Sequence, residues 1–282
     1  MTGSLTVLAT GPLATVQDAG RPGLAGIGVG RSGACDRTSY ELANRLVGNA
    51  PGAATLEVTF GGLRLRADGD VVVVSTGARC AGSIPHNAPT LLRSGDELRL
   101  GTPVSGLRTY VAVRGGLGVE PVLGSCSTDL LARIGPAPVA TGDVLRVGHD
   151  AGLLPGVDLA AVPDPTGGML VVRVLPGPRR DWFADAAWGR LTDLPFTVTG
   201  DCDRVGARLD GPSLERTRAG ELASEGMVRG ALQVPPSGKP ALLLADHPVT
   251  GGYPVLAYVV DADVDRCAQL RPGQGVRFRA AA

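Results

Sequence analysis

"PALLLADHPVTGGYPVLAYVV" (residues 240–260) sets two apolar runs, 241–244 and 255–260, around a polar segment that carries two glycines. Each run is short and bounded by Pro, Asp or Gly, so it reads as a buried strand and not as part of a helix. A hairpin connection typically takes about two to five residues, whereas 246–254 takes nine. A connection of that length between strands predicts a binding rim, with a plain glycine turn as the alternative.

The same signature extends outward in both directions. "VVVVS" (71–75), "RTYVAVRG" (108–115), "MLVVRVL" (169–175) and "FTVTG" (196–200) are rich in β-branched residues and mostly flanked by turn residues. The 42 glycines and 22 prolines suit many short connections between strands. Two helices are expected. "CDRTSYELANRLVGN" (35–49) opens at Asp36 as N-cap, puts Tyr40, Ala43, Leu46 and Val47 on one face and stops at Gly48. "RDWFADAAWGRL" (180–191) offers Asp181 as a cap with Trp182, Phe183, Ala186 and Ala187 inward, the aromatics serving as core anchors. A Gly turn followed by an alternating strand with outward arginines recurs as "SGDELRLG" (94–101), "TGDVLRVG" (141–148) and "PGQGVRFR" (272–279). The irregular spacing argues against a solenoid and for similar closures of three sub-structures. "DAGLLPGVDLAAVPDPTGG" (150–168) is the linker candidate, which predicts two mainly β domains, 1–155 and 169–282.

Composition narrows the function. The 27 basic and 27 acidic residues balance, and no charge run stands out, which argues against a nucleic-acid surface or an acidic membrane as partner. Lys239 is the only lysine; the other 26 cations are arginines. Schiff-base chemistry or biotin attachment would therefore have to use Lys239. It stands between Gly and Pro, not between the methionines that flank a biotin-accepting lysine, so no biotin is expected on this chain. "PPSGKPA" (235–241) lacks the outer residues of a P-loop. "GLAGIGVG" (23–30) lacks the strand-then-helix frame of a dinucleotide fingerprint and reads as a loop. "GSCSTDLL" (124–131) holds Ser and Cys without a His in the motif, which disfavours a Ser nucleophile. Five dispersed cysteines without a C-x-x-C pair read as reduced thiols of a cytoplasmic protein, and three dispersed histidines give a metal site little support. The opening "MTGSLTVLATGPLATVQDAG" lacks a basic start and an apolar core of signal-peptide length, so no secretion signal is expected.

Three segments together carry a resemblance: "TVQDAGRPGLAGIGVGRSGACDRTSYELANRLVGN" (15–49) continuing to "ATLEVTFGG" (54–62), "RGGLGVEPVLGSCSTDL" (114–130), and the set "GDCDRVGARLDGP" (200–212), "SEGMVRGALQVPPSGKPALLLAD" (224–246) and "TGGYP" (250–254). In order and over nearly the whole chain, they resemble the C subunit of the bacterial ATP-dependent 5-oxoprolinase, the PxpC and KipA family. Its members are also labelled biotin-dependent carboxyltransferase or allophanate hydrolase subunit 2. The resemblance implies a mainly β fold of two β-barrel-like domains, a carboxyltransferase-type one over 1–155 and a cyclophilin-like barrel over 169–282. It implies two partners, the A subunit of the enzyme and its KipI-like B subunit, with ATP-driven opening of 5-oxo-L-proline to L-glutamate. ATP is the implied cofactor, held by this chain or mainly by one of those partners. Two rival readings follow from the same family. One is carboxyl transfer to urea-like amides with a biotinylated carrier on another chain. The other is a non-catalytic regulator that binds a KipI-like kinase inhibitor. Two positions depart from the family pattern: Cys202-Asp203-Arg204-Val205-Gly206 replaces Ser-Asp-Arg-Met-Gly, and His247-Pro248-Val249 replaces Arg-Gln-Thr.

Opening a lactam requires an anion to be held in register with a planar amide. Arg204 is the expected anion clamp, because a guanidinium fork matches carboxylate or phosphate. Asp203 would orient it or a water, unless the two form a plain surface pair. Asp246, at a strand end, is the candidate base, or alternatively a turn cap. Gly251 and Gly252 would bring backbone N–H groups to the ligand or adopt positive φ. Thr250 would add a hydroxyl and Tyr253 a flat wall, with Glu225 and Gln233 lining the same cleft or making strand-edge contacts. Asp18, Arg21, Ser32 and Asp36 form a polar cluster ahead of the first helix that would face a partner protein or the ligand, Asp36 doubling as N-cap. On this reading Arg204, Asp246 and residues 250–254 share one recess, and Arg204→Ala abolishes assembled activity without unfolding the chain.

Overall fold

The computed structural model describes residues 3–149, 151–220 and 222–281; the outer domain limits at 1 and 282 and the first linker residue, Asp150, lie outside the described residues. The chain forms two compact units. The first comprises Met1–Arg21, Ser32–Asp129 and Arg133–Pro165, the second Pro22–Arg31, Leu130–Ala132 and Thr166–Ala282. Two short segments of the N-terminal half thus cluster with the second unit, so no single cut of the chain separates the two.

The first unit is built from two five-stranded sheets. One runs in the order Val144–Arg146, Ser4–Thr10, Leu63–Asp68, Glu97–Pro103, Cys80–Gly82, and the other Leu13–Gln17, Thr55–Thr59, Arg108–Val113, Val71–Gly77, Thr90–Leu92. All these pairings are antiparallel, with Leu5 opposite Ala67 and Val73 opposite Val113. "LRLRAD" (63–68) alternates buried and exposed as a sheet with one wet face must. Leu63, Leu65, Leu98, Val7, Val16, Leu56 and Val58 pack into one core.

Every residue of Arg108–Val113 is buried, because its second face is covered by helix α1, Arg37–Leu46. Tyr40, Ala43, Leu46 and Val47 meet Val74, Tyr110 and Ala112 there. Asp36 caps the helix as expected, accepting from Ser39 N at 2.9 Å and Ser39 Oγ at 2.7 Å. Gly48 ends it with φ +70°, where a Cβ would stand 2.4 Å from Leu153 O.

The second unit contains a closed seven-stranded barrel. Its order is Leu170–Pro176, Val255–Val259, Ala231–Gln233, Ala241–Leu243, Gly206–Asp210, Pro195–Cys202, Gly275–Ala280. The last strand returns parallel to the first, Leu170 opposite Val276, and closes the ring. Phe196 and Phe278, with ring centroids 5.9 Å apart, sit in its apolar core. Helix α2, Ala186–Asp193, begins later than expected. Residues Arg180–Trp182 form a separate 3-10 turn, so Asp181 caps nothing, and Ala186 is exposed while Leu191 takes the inward place. Phe183 and Ala187 are buried as expected, but Trp182 is only partly covered. A third helix, α3, spans Asp261–Cys267 and lacks a sequence signal beyond acids in its first turn. No helix among the described residues is long and apolar enough to cross a membrane.

Candidate functional site

In the second unit, Asp203 shapes the turn between two barrel strands. Its Oδ1 accepts from Val205 N at 2.7 Å and Gly206 N at 3.0 Å, and its own N–H donates to Gly206 O. That Asx-type turn aims Arg204 inward. Arg204 Nε donates to Asp246 Oδ2 at 2.9 Å and Nη2 to Asp246 Oδ1 at 2.8 Å, a fork-to-fork pair with both residues at most 2% exposed. Asp246 N donates to Arg204 O at 2.9 Å, and Leu130 N donates to Asp246 Oδ2 at 3.0 Å. Arg204 and Asp246 therefore meet as expected, but on each other. The expected anion clamp and general base form a buried ion pair, and Asp203 Oδ1 holds the turn that precedes it.

The long connection 246–254 has a structural partner. Thr250–Gly251 pairs antiparallel with Glu225–Gly226, Met227 N donates to Val249 O at 2.8 Å, and Leu222 N donates to Gly252 O at 3.3 Å. The connection is long because it folds into a two-stranded ribbon of its own. Neither Gly251 nor Gly252 has positive φ. A Cβ on Gly251 would lie 3.2 Å from Met227 Cγ, and one on Gly252 3.3 Å from Leu222 O, so close packing is the need that glycine meets there. Glu225 forms a two-pronged ion pair with Arg179, Nε to Oε2 at 3.0 Å, at a partly exposed position. Thr250 and Tyr253 are exposed, and Gln233 is half-buried in the barrel strand opposite Ala241. His247 Nδ1 lies 2.8 Å from Pro248 O.

Arg179 N donates to Val255 O, and the next residues of that turn line a pocket of about 290 Å³ in the second unit. Its walls include Arg180, Asp181, Phe183, Asp185, Trp188 and Leu256, with Arg180 stacked over Trp188 at 4.9 Å. Arg179, Arg180 and Trp188 escaped the sequence reading, which took this stretch as core. The adjacent pair Arg179-Arg180 before an acid was the available signal.

In the first unit the polar cluster is real and larger than expected. Asp18 Oδ1 accepts from Gly20 N at 2.7 Å, Ser125 Oγ at 2.6 Å and Ser127 Oγ at 2.5 Å, and Oδ2 accepts from Cys126 N at 2.6 Å. Arg21 is buried, with Nη2 donating to Ser127 O at 2.6 Å, and Ser32 Oγ donates to Thr128 O at 3.3 Å. Asp36 N donates to Tyr110 Oη at 2.8 Å, and Tyr110 donates to Glu57 Oε2 at 2.7 Å. Cys35 N donates to the same oxygen, and Arg108 Nε lies 3.5 Å from Glu57 Oε1. Burial, reinforced by Glu57, pushes the Tyr110 hydroxyl well above its ordinary value, so it stays a proton donor. Burial and Asp18 likewise raise the Cys126 thiol. Gln17, Glu57 and Arg108 were missed. Each is a polar residue on the buried phase of an apolar strand, and that mismatch was the signal available.

The family model described as "Carboxyltransferase domain, subdomain A and B" matches residues 27–280. The chain is 36% identical to the 5-oxoprolinase C subunit of Escherichia coli (strain K12), over 97% of this chain and 90% of that protein. Among solved structures, TTHA0988 superposes with a TM-score of 0.89 at 39% identity, over 98% of this chain but 55% of that one. Kluyveromyces lactis urea carboxylase gives a TM-score of 0.91 at 28% identity, over 99% of this chain and 27% of that one. The chain thus spans about half of the first of these solved proteins and about a quarter of the second.

Proposed function

The chain belongs to the family of the carboxyltransferase domain, subdomain A and B, and to that of the 5-oxoprolinase C subunit; from this membership we propose that it serves as that component of an ATP-dependent 5-oxoprolinase. In this reading it works together with the A subunit of the enzyme, plus a KipI-like B subunit, to open 5-oxo-L-proline to L-glutamate. The observation that carries the reading is the match to the 5-oxoprolinase C subunit over almost the full length of both chains.

A lactam carbonyl is resonance-stabilised, and ATP supplies the phosphoryl group that makes it electrophilic. The tasks left to this chain are holding the carboxylate of the substrate and orienting its amide. The solvent-accessible Arg179–Glu225 pair, with the hydroxyls of Thr250 and Tyr253 on or beside its ribbon, offers an exchangeable guanidinium and neighbouring donors. An arriving carboxylate can displace Glu225 from the Arg179 fork. The buried Arg204–Asp246 pair positions the barrel end that leads into this ribbon.

Likeness to a urea carboxylase favours a second reading, carboxyl transfer to a urea-like amide. It requires a biotinylated carrier on another chain, since Lys239 is bound to Asp210 at 2.8 Å and to Gly211 O. One assay separates the two. The purified chain is mixed with candidate A and B subunits, and glutamate production from 5-oxoproline is followed with and without ATP. ATP-dependent turnover that needs all three supports the first reading. Turnover of urea that needs bicarbonate and a biotinylated carrier supports the second and overturns the first.

A further inference from the structure

Among the described residues three arginines are buried to 1% exposure: Arg21, Arg108 and Arg204. Arg204 faces Asp246 and Arg108 faces Glu57. Arg21 has no such counter-charge among the described residues. Its Nη2 donates to Ser127 O at 2.6 Å and its Nε to Val122 O at 3.4 Å, both neutral carbonyls, and its Nη1 is buried without a hydrogen-bond partner. Asp18, which shares Ser127 with it, spends both carboxylate oxygens on Gly20, Ser125, Cys126 and Ser127. Two further orphaned buried atoms lie on the same stretch: Thr128 Oγ1, and Oε1 of Gln17, whose Nε2 donates to Thr128 O at 2.9 Å.

A buried guanidinium answered only by carbonyls, with one donor edge unused, is an incomplete charge arrangement. We propose that Arg21 Nη1, assisted by the Thr128 hydroxyl, receives a small planar oxyanion of the carboxylate class, such as a free monocarboxylate or bicarbonate. A guanidinium N–H and a hydroxyl, both buried without a partner on residues tied to the 127–128 backbone, are the donor types such an ion takes. Gln17 Oε1 supplies an acceptor on the same stretch, which favours bicarbonate because it keeps a hydrogen to donate.

The test uses the full chain alone and does not depend on the lactam-opening activity. Thermal midpoints are recorded while sodium formate or sodium bicarbonate replaces chloride at constant ionic strength and pH. The expected result is a saturable rise with either anion, reached at lower concentration with bicarbonate, and a flat response in Arg21→Gln. Thr128→Val removes a hydroxyl that bonds nothing in the free chain, so it should fold as the parent does. It should need about tenfold more anion for the same rise, the equivalent of one charge-assisted hydrogen bond. That variant carries the test should Arg21→Gln fail to fold. A parent response no larger than that to chloride overturns the proposal. So does a Thr128→Val chain that responds like the parent, or a formate-soaked crystal with only an ordered water at Nη1.

Discussion

Arg204 and Asp246 are almost fully withdrawn from solvent, and the two guanidinium–carboxylate hydrogen bonds between them are 2.8 and 2.9 Å long. At this depth the consequence of losing one partner is set by the charge left behind. Arg204→Ala is therefore expected to lower unfolding free energy by about 3–5 kcal/mol, because Asp246 would stay buried without its counter-charge. Urea denaturation followed by circular dichroism reads this directly. The double replacement Arg204→Met with Asp246→Leu should recover much of the loss, short of the hydrogen bond that Leu130 N gives to Asp246. A single variant as stable as the parent would show that water reaches the pair. This revises the simpler expectation from sequence, in which Arg204→Ala removes activity and leaves stability untouched.

At the scale of elements, two helices carry testable ends. Asp36 holds the first turn of α1 through Ser39 N and Ser39 Oγ. Asp36→Ala should cost about 0.5–2 kcal/mol and Asp36→Ser distinctly less, read from the midpoint of urea unfolding. In α3, Asp263 accepts Arg173 N at 2.8 Å and Arg173 Nε at 2.9 Å. Burial raises the Asp263 carboxyl, but the Arg173 hydrogen bonds and charge outweigh it and hold the group below its ordinary 3.8. A carboxylate depressed in the folded state contributes stability above its unfolded value and loses it as pH falls through the folded one. Asp263→Asn should thus lower the melting temperature at neutral pH and flatten its fall below about pH 4, the window opened by that shift. Parallel pH profiles for variant and parent would sink the assignment. The 246–254 connection is the element-scale surprise: pairing with Glu225–Gly226 makes it a ribbon, a nonlocal contact that neither segment announces.

At the scale of the whole molecule, the proposed activity belongs to an assembly, so the informative measurement is made on the three-component mixture. Arg179 is partly exposed, and its loss should leave the barrel folded. In that mixture Arg179→Ala is expected to raise KM for 5-oxoproline at least about tenfold, with a smaller change in kcat, as removal of a ground-state carboxylate contact requires. An unchanged KM would remove Arg179 from the substrate path. The pocket beside it, with Arg180 over Trp188, then becomes the place to look for the rest of the contact surface.

The amino-acid sequence by itself determined the β class, the principal strands, α1 with its Asp36 cap, and the family. Those features rest on local signals: side-chain period, turn residues and short ordered motifs, each complete within a few neighbours in the chain. It also picked out Asp18, Arg21, Arg204 and Asp246 as unusual. Only the tertiary structure decided what faces them. Arg204 lies 42 positions from Asp246, Arg21 lies 106 from Ser127 and Arg179 lies 46 from Glu225. A charge turns structural or available according to the partner that folding brings to it, and those partners come mostly from loops and turns far away in the chain, which no local pattern encodes.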